Sequence, residues 1–246
     1  MIGVALLCLS AASAQADTRI IANPQARQNS VTVQTDIFGP LQIEISDRIN
    51  GRQLAVQLLE GPGRFTVNDI PDGSIGHLQL LAVPGRPVTV KPFTYTNPFS
   101  DYADWQISQG FNGTISHNTP ADAFAVDFAL LMGTPVRAAR AGIVMEAIDR
   151  FPDKGSARIS DLDNANRVRI LHEDGSMSVY GHLMQDSITV TPGQWVAQGL
   201  VIGQSGNSGY SHGPHLHFAV QINTGLQLQS IPFSMRKPDK TVIIPP

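Results

Sequence analysis

The sequence predicts an all-β protein of mainly antiparallel sheet. Three observations carry that expectation: short runs of alternating apolar and polar residues recur along the chain, Gly and Pro punctuate them, and helical periodicity is nearly absent. The 246 residues include 22 Gly and 17 Pro, enough to supply many tight turns. That length admits two domains, each able to bury its own core.

In chain order, the start MIGVALLCLSAASAQA reads as a secretory signal over residues 1–16, an apolar run closed by Ala14-Gln15-Ala16. The basic residues usual at such a terminus are missing. Residues 17–97 hold SVTVQT, LQIEIS, QLAVQLL and PVTVKPF, broken by Gly-Pro, Pro-Asp-Gly and Pro-Gly, and predict a small β domain. Its single histidine is His77, and no cluster of His, Asp or Glu stands there at ligand-like spacing. Residues 98–108 read as a linker. Residues 109–235 predict a second, mainly antiparallel domain with strands in FAVDFAL, PVRAA, GIVMEAI, NRVRILH, SMSVYGHL, SITV and HLHFAVQI. The polar stretch DRFPDKGSARISDLDNA interrupts these strands and suits a surface loop at the mouth of a site. A tail over residues 236–246 ends in two prolines.

Composition removes several function classes. After the first residues, no apolar run approaches the roughly 20 residues needed to span a bilayer, so no transmembrane segment is expected in the processed protein. The net charge of −3 gives no general attraction to phosphate polymers, so nucleic acid is not expected as a partner. Cys8 is the only cysteine and lies in the expected signal, behind Leu7, where a lipid-attachment site would have a small residue. Processing would leave no thiol, which excludes disulfides, a cysteine nucleophile and thiolate zinc ligands. No feature specifies an oligomeric state.

The run His215-Leu216-His217-Phe218 carries the most chemistry. In a strand, His215 and His217 point to one face while Leu216, Phe218 and Val220 point to the other, towards a core. Asp127 sits in FAVDFAL with the same parity, its apolar neighbours on the opposite face. A carboxylate there needs a cation or a hydrogen-bonded partner, and the residues alone leave metal ligand and structural ion pair equally open. His182 in YGHL and His117 in GFNGTISHN are weak candidates singly, since a lone histidine is usually a satisfied structural residue.

Together, SHN…FAVDFAL, GTPVRAARAGIV, NRVRILHEDGSMSVYGHL and GQSGNSGYSHGPHLHF resemble the lysostaphin-like (LytM-type) zinc metallopeptidases, peptidoglycan endopeptidases of the duplicated hybrid motif type. The resemblance implies one Zn2+ held by His117, Asp127 and His217, with His182 and His215 as the catalytic pair. Three protein ligands leave a coordination position for water, as a catalytic site requires, and a sulfur-free nitrogen and oxygen set suits zinc. The metal would activate that water near pH 7. By the same resemblance, Asn166 is placed to orient substrate or this water, although an asparagine at a strand start also serves turns. Tyr180 and His212 are expected either to line the substrate groove or simply to lie exposed.

One departure concerns spacing. His117 precedes Asp127 by ten residues, whereas the family pattern places this histidine four before the aspartate, and Asp122 falls closer to that distance. The GFNGTISH lead-in favours His117, with an enlarged loop returning to the same metal. The implied function is an exported zinc metalloendopeptidase, periplasmic or secreted, that hydrolyses peptidoglycan cross-links. The alternatives are a catalytically inactive LytM-type cell-wall-binding protein or regulator of another murein hydrolase, and a two-module β adhesion or carbohydrate-binding protein with a structural metal.

Overall fold

A computed structural model describes residues 18–21, 30–100, 105–236 and 242–243. The expected signal, residues 1–16, lies outside the described residues, as does most of the tail over 236–246. Among the described residues the chain is nearly all β, with two short 3-10 turns at Asp72–His77 and Ile159–Asn164. No helix there is long and apolar enough to cross a membrane.

The amino-terminal strands form because their alternation matches the pleat. In Val31–Thr35 and Leu41–Asp47 every second side chain is buried. These strands nucleate two three-stranded antiparallel sheets: Val31–Thr35 lies between Arg19–Ile21 and Gly63–Val67, and Leu41–Asp47 between Gln53–Leu59 and Leu78–Pro84. Their inner faces share one core of Val33, Leu41, Ile43, Ile45, Leu59 and Ile70. Met145 and Met177, from much later in the chain, complete it.

The second half is dominated by an eight-stranded sheet. Its spatial order is Trp195–Val196, Gly142–Ile148, Arg167–Leu171, Met177–Gly181, His215–Asn223, Val126–Ala129 and Gln106–Gln109, with Leu228–Ser230 added beside His215–Asn223. Every pairing in it is antiparallel. One face carries Val126, Phe128, Val168, Ile170, Tyr180, Leu216, Phe218 and Val220 into a second core, joined by Tyr95 and Phe99 from the region before the sheet. Edge-to-face ring pairs knit this core, with Phe99 and Phe128 centroids 5.1 Å apart and Tyr180 and Phe218 5.3 Å apart. Such pairs contribute about 0.5–1.5 kcal/mol each beyond their buried area.

The two halves are fastened by backbone as well as side chains. Phe38 N–H donates to the Met145 carbonyl at 3.0 Å, and Val88 N–H to the Asn223 carbonyl at 3.0 Å. A bulge between Val144 and Glu146 makes the first contact possible. The extra residue, Met145, turns out of the sheet towards the amino-terminal core while Glu146 keeps its place opposite Arg169.

Candidate metal centre

The strand His215–Asn223 positions the site because it lies between two partners whose register is fixed. His217 pairs with Gly181 on one side and with Asp127 on the other. Directly opposed residues share a face, so the Asp127 carboxylate meets the His217 ring, with Oδ1 3.0 Å from Nδ1. Leu216 and Phe218, one step out of phase, go into the core as their parity requires.

His117 reaches the same carboxylate from outside the sheet. Its Nε2 lies 3.2 Å from Asp127 Oδ1. The extra residues between them are taken up by a turn in which Ala123 N–H donates to the Thr119 carbonyl at 2.8 Å and Ala125 N–H to the Asp122 carbonyl at 2.8 Å. Ligand atoms of His117, Asp127 and His217 all lie within 4.8 Å of one another. Asp122 is outside this cluster; its Oδ1 stands 3.5 Å from the other nitrogen of His217, Nε2.

Hydrogen bonding dictates which ring nitrogens face the cluster. A carbonyl can only accept, so a ring nitrogen bonded to one must carry the proton and leave its partner's lone pair free. His117 Nδ1–H donates to the Gly110 carbonyl at 2.8 Å, His182 Nδ1–H to Ser208 at 2.7 Å, and His215 Nδ1–H to Gly213 at 2.8 Å. Each therefore offers Nε2. The His182 and His215 rings lie 4.4 Å apart beside the three-residue cluster, and His215 Nε2 is 3.9 Å from Asp127 Oδ1.

Burial and charge tune these groups. Burial alone would raise Asp127, but its contacts with the His117 and His217 rings outweigh it and hold this carboxyl far below the usual range. Burial likewise opposes charge on His217, yet the Asp122 and Asp127 carboxylates, one at each ring nitrogen, raise it to about 10. Burial pushes His182 down to about 3, with repulsion from His215 and His217 adding to the effect, and burial also lowers His215. His182 and His215 are thus neutral at pH 7. Two imidazoles and one carboxylate whose ligand atoms converge, with no sulfur among them, fit a zinc ion once the metal displaces the shared protons.

His182 reaches this face by a backbone device that alternation could not foresee. Its strand ends at Gly181, and His182 itself takes a left-handed φ of 59°. That turn puts its ring on the opposite side from Tyr180, with which strand parity would have paired it. Ser208 and Asn166 brace the turn: Ser208 Oγ donates to the Leu183 carbonyl at 2.8 Å, and Leu183 N–H donates to the Asn166 carbonyl at 3.0 Å.

Of the three residues offered for the substrate, Tyr180 and Asn166 are placed differently and His212 lies exposed. Tyr180 is 0% exposed in the second core, its hydroxyl accepting from Ala139 N–H at 2.7 Å, so it does not line a groove. Asn166 is also fully buried, and its amide is spent on the backbone of Arg150, Phe151 and Leu183. It braces loops and has no free group for substrate. His212 is exposed and packs edge-on against Tyr210, 5.5 Å between centroids, in the loop leading to His215. The interrupting loop is at the surface as expected, tied to that same segment by a bridge between Ser156 and Ser211 and by Tyr210 N–H to the Asp161 carbonyl at 3.1 Å.

Gln109 is a residue the sequence reading passed over. Its amide nitrogen donates to Asp127 Oδ2 at 3.0 Å and to Ser116 Oγ at 2.7 Å, while its oxygen accepts Ile115 N–H at 3.1 Å. One side chain thus joins the His117 loop to the ligand carboxylate. A glutamine in a short strand carries no mark of this; its place eight residues before His117 is the only signal.

Fold and site together define a β-sheet protein with a three-residue cluster that could hold a metal ion, flanked by two further imidazoles. Residues 122–229 match the model of peptidase family M23. The matched segment contains Asp127, His182, His215 and His217 but begins after His117, which only the fold brings to the cluster. The chain is 34% identical over 116 residues to lysostaphin of Staphylococcus staphylolyticus, a match spanning 47% of this chain and 20% of that protein. It is 35% identical over 121 residues to the peptidoglycan DD-endopeptidase ShyA of Vibrio cholerae, spanning 48% and 25%. A solved structure of the antimicrobial peptidase lysostaphin from Staphylococcus simulans is 26% identical, with a TM-score of 0.38 over 55% of this chain and 49% of that one. The chain thus spans only a fifth to a quarter of the length of these two curated relatives.

Proposed function

We propose that this protein is an exported zinc metalloendopeptidase that hydrolyses peptide cross-links of peptidoglycan, with residues 109–235 as the peptidase unit and 17–97 as a β unit packed against it. The convergence of His117, Asp127 and His217 beside the paired rings of His182 and His215 carries the reading. The family match and the relatives that act on peptidoglycan support the substrate class.

In this reading His117, Asp127 and His217 hold the ion. When bound, zinc supplies a Lewis acid that polarises the scissile carbonyl and makes water nucleophilic near neutral pH. His182 and His215 present Nε2 to the same face, and both are neutral at pH 7. Either can accept a proton from the attacking water and, once protonated, hydrogen-bond the developing oxyanion. The carbonyls of Ser208 and Gly213 hold the two rings in the tautomer this needs.

The test is metal analysis of the purified protein followed by digestion of purified peptidoglycan. New amino termini should appear and should stop appearing on chelation; wall binding without cleavage would instead mark a binding protein. His217→Ala should lose both metal and turnover. His215→Ala should keep its metal and lose about 100-fold or more in turnover. Equal zinc content in His217→Ala and the parent would overturn the ligand assignment.

A further inference from the structure

The three other histidines of the site each fix their tautomer through a backbone carbonyl, but His217 does not. It lies mid-sheet, paired on both sides, with Nδ1 turned to Asp127 and Nε2 turned to Asp122. We propose that Asp122 is a positioning residue for the metal site, accepting the Nε2–H of His217 and so keeping the Nδ1 lone pair directed at the cation. A carboxylate behind a ligating imidazole both orients the ring and makes its other nitrogen a better donor to metal. This rests on the metal reading given above.

The loop that carries Asp122 is built to hold it there. Thr119 Oγ1 donates to Asp122 Oδ2 at 2.9 Å, leaving Oδ1 for His217 at 3.5 Å. On either side the loop is pinned to the strands next to the site: Ser230 N–H donates to the Pro120 carbonyl at 2.8 Å, Gln221 Nε2 to Ala121 at 2.8 Å, and Phe124 N–H to Ser230 Oγ at 2.9 Å. The ten-residue separation of His117 and Asp127 thus has a use. One loop delivers a ligand from its start and an outer carboxylate from its middle, on opposite sides of His217. At the shorter spacing only three residues would stand between the ligands, and position 122 would fall outside them.

Zinc affinity of the full chain, measured by competition with a chromophoric chelator, tests this. Asp122→Ala should bind zinc about 10- to 100-fold more weakly. Asp122→Asn, which keeps an acceptor oxygen but loses the charge, should fall between it and the parent. Long-range nitrogen NMR of the zinc-loaded parent should show His217 protonated at Nε2, and that proton should exchange faster with water in Asp122→Ala. Parent-like affinity in Asp122→Ala overturns the proposal; if that variant fails to fold, parent-like affinity in Asp122→Asn does so. His217→Ala run alongside separates the two failures. Undiminished zinc there sinks the metal reading itself, whereas its loss there with unchanged affinity at Asp122→Ala sinks only the role of Asp122.

Discussion

His172 shows how little a residue type says without its surroundings. It is as buried as the site histidines, yet its Nδ1–H is bonded to the Ala141 carbonyl at 2.8 Å and its Nε2 meets Ser178 Oγ at 3.1 Å, inside a structural network. Burial, with a contribution from the nearby Arg140 cation, lowers it to about 4 from its ordinary value of 6.5. A histidine depressed in the folded state favours folding above its unfolded pKa and loses that contribution as pH falls through 6.5 towards 4. Urea unfolding at pH 7.5 and 4.5 should therefore reveal about 2–3 kcal/mol of lost stability from this group. His172→Gln should show a correspondingly shallower pH dependence, and an unchanged slope would refute the assignment. At this scale His215, His217 and Asp127 were legible because strand parity placed them, whereas Gln109, Tyr180 and Asn166 were not, because their roles depend on which loop or core lies opposite.

At the level of elements, the face that holds the His117, Asp127 and His217 cluster continues into a buried ionic group. Register runs from Glu146 to Arg169, Val179 and Ala219, so Glu146 and Arg169 share the face of His217. Glu146 Oε1 accepts two bonds from Arg167, at 3.0 and 2.7 Å, and Arg169 donates to Gln221 Oε1 at 2.6 Å. Removing the one carboxylate leaves two buried guanidinium groups without their counter-charge. Glu146→Ala should cost about 3–5 kcal/mol, read as a fall in thermal midpoint of the metal-free protein. Glu146→Gln, which retains an acceptor, should cost less. The strand in GIVMEAI was readable from its apolar run, but the bulge at Met145 was not, since it exists to satisfy the other half of the molecule.

For the molecule as a whole, Asn223 is the fastening between halves. Its side-chain amide donates to Gln42 Oε1 and to the Gly85 carbonyl, both at 2.9 Å, while its backbone carbonyl receives Val88 N–H. It is fully buried. Asn223→Ala would strand the Gly85 carbonyl and should cost about 2–4 kcal/mol. Limited proteolysis should then cut between the halves sooner than in the parent, and an unaltered cleavage rate would argue that the apolar contacts of Met145 and Met177 suffice alone.

By itself the sequence determined the β class, the strands, and the shared face of Asp127, His215 and His217, because period-two burial is a local property of the chain. Family likeness supplied His182, which parity would have sent to the wrong face. The GFNGTISH lead-in already preferred His117 to Asp122; tertiary structure alone brought its ring to the cluster, put Tyr180 in the core and made Gln109 bridge a loop to Asp127. Those outcomes depend on strand register and on where a turn closes, and both are set by contacts between residues far apart in the chain, which no local pattern records.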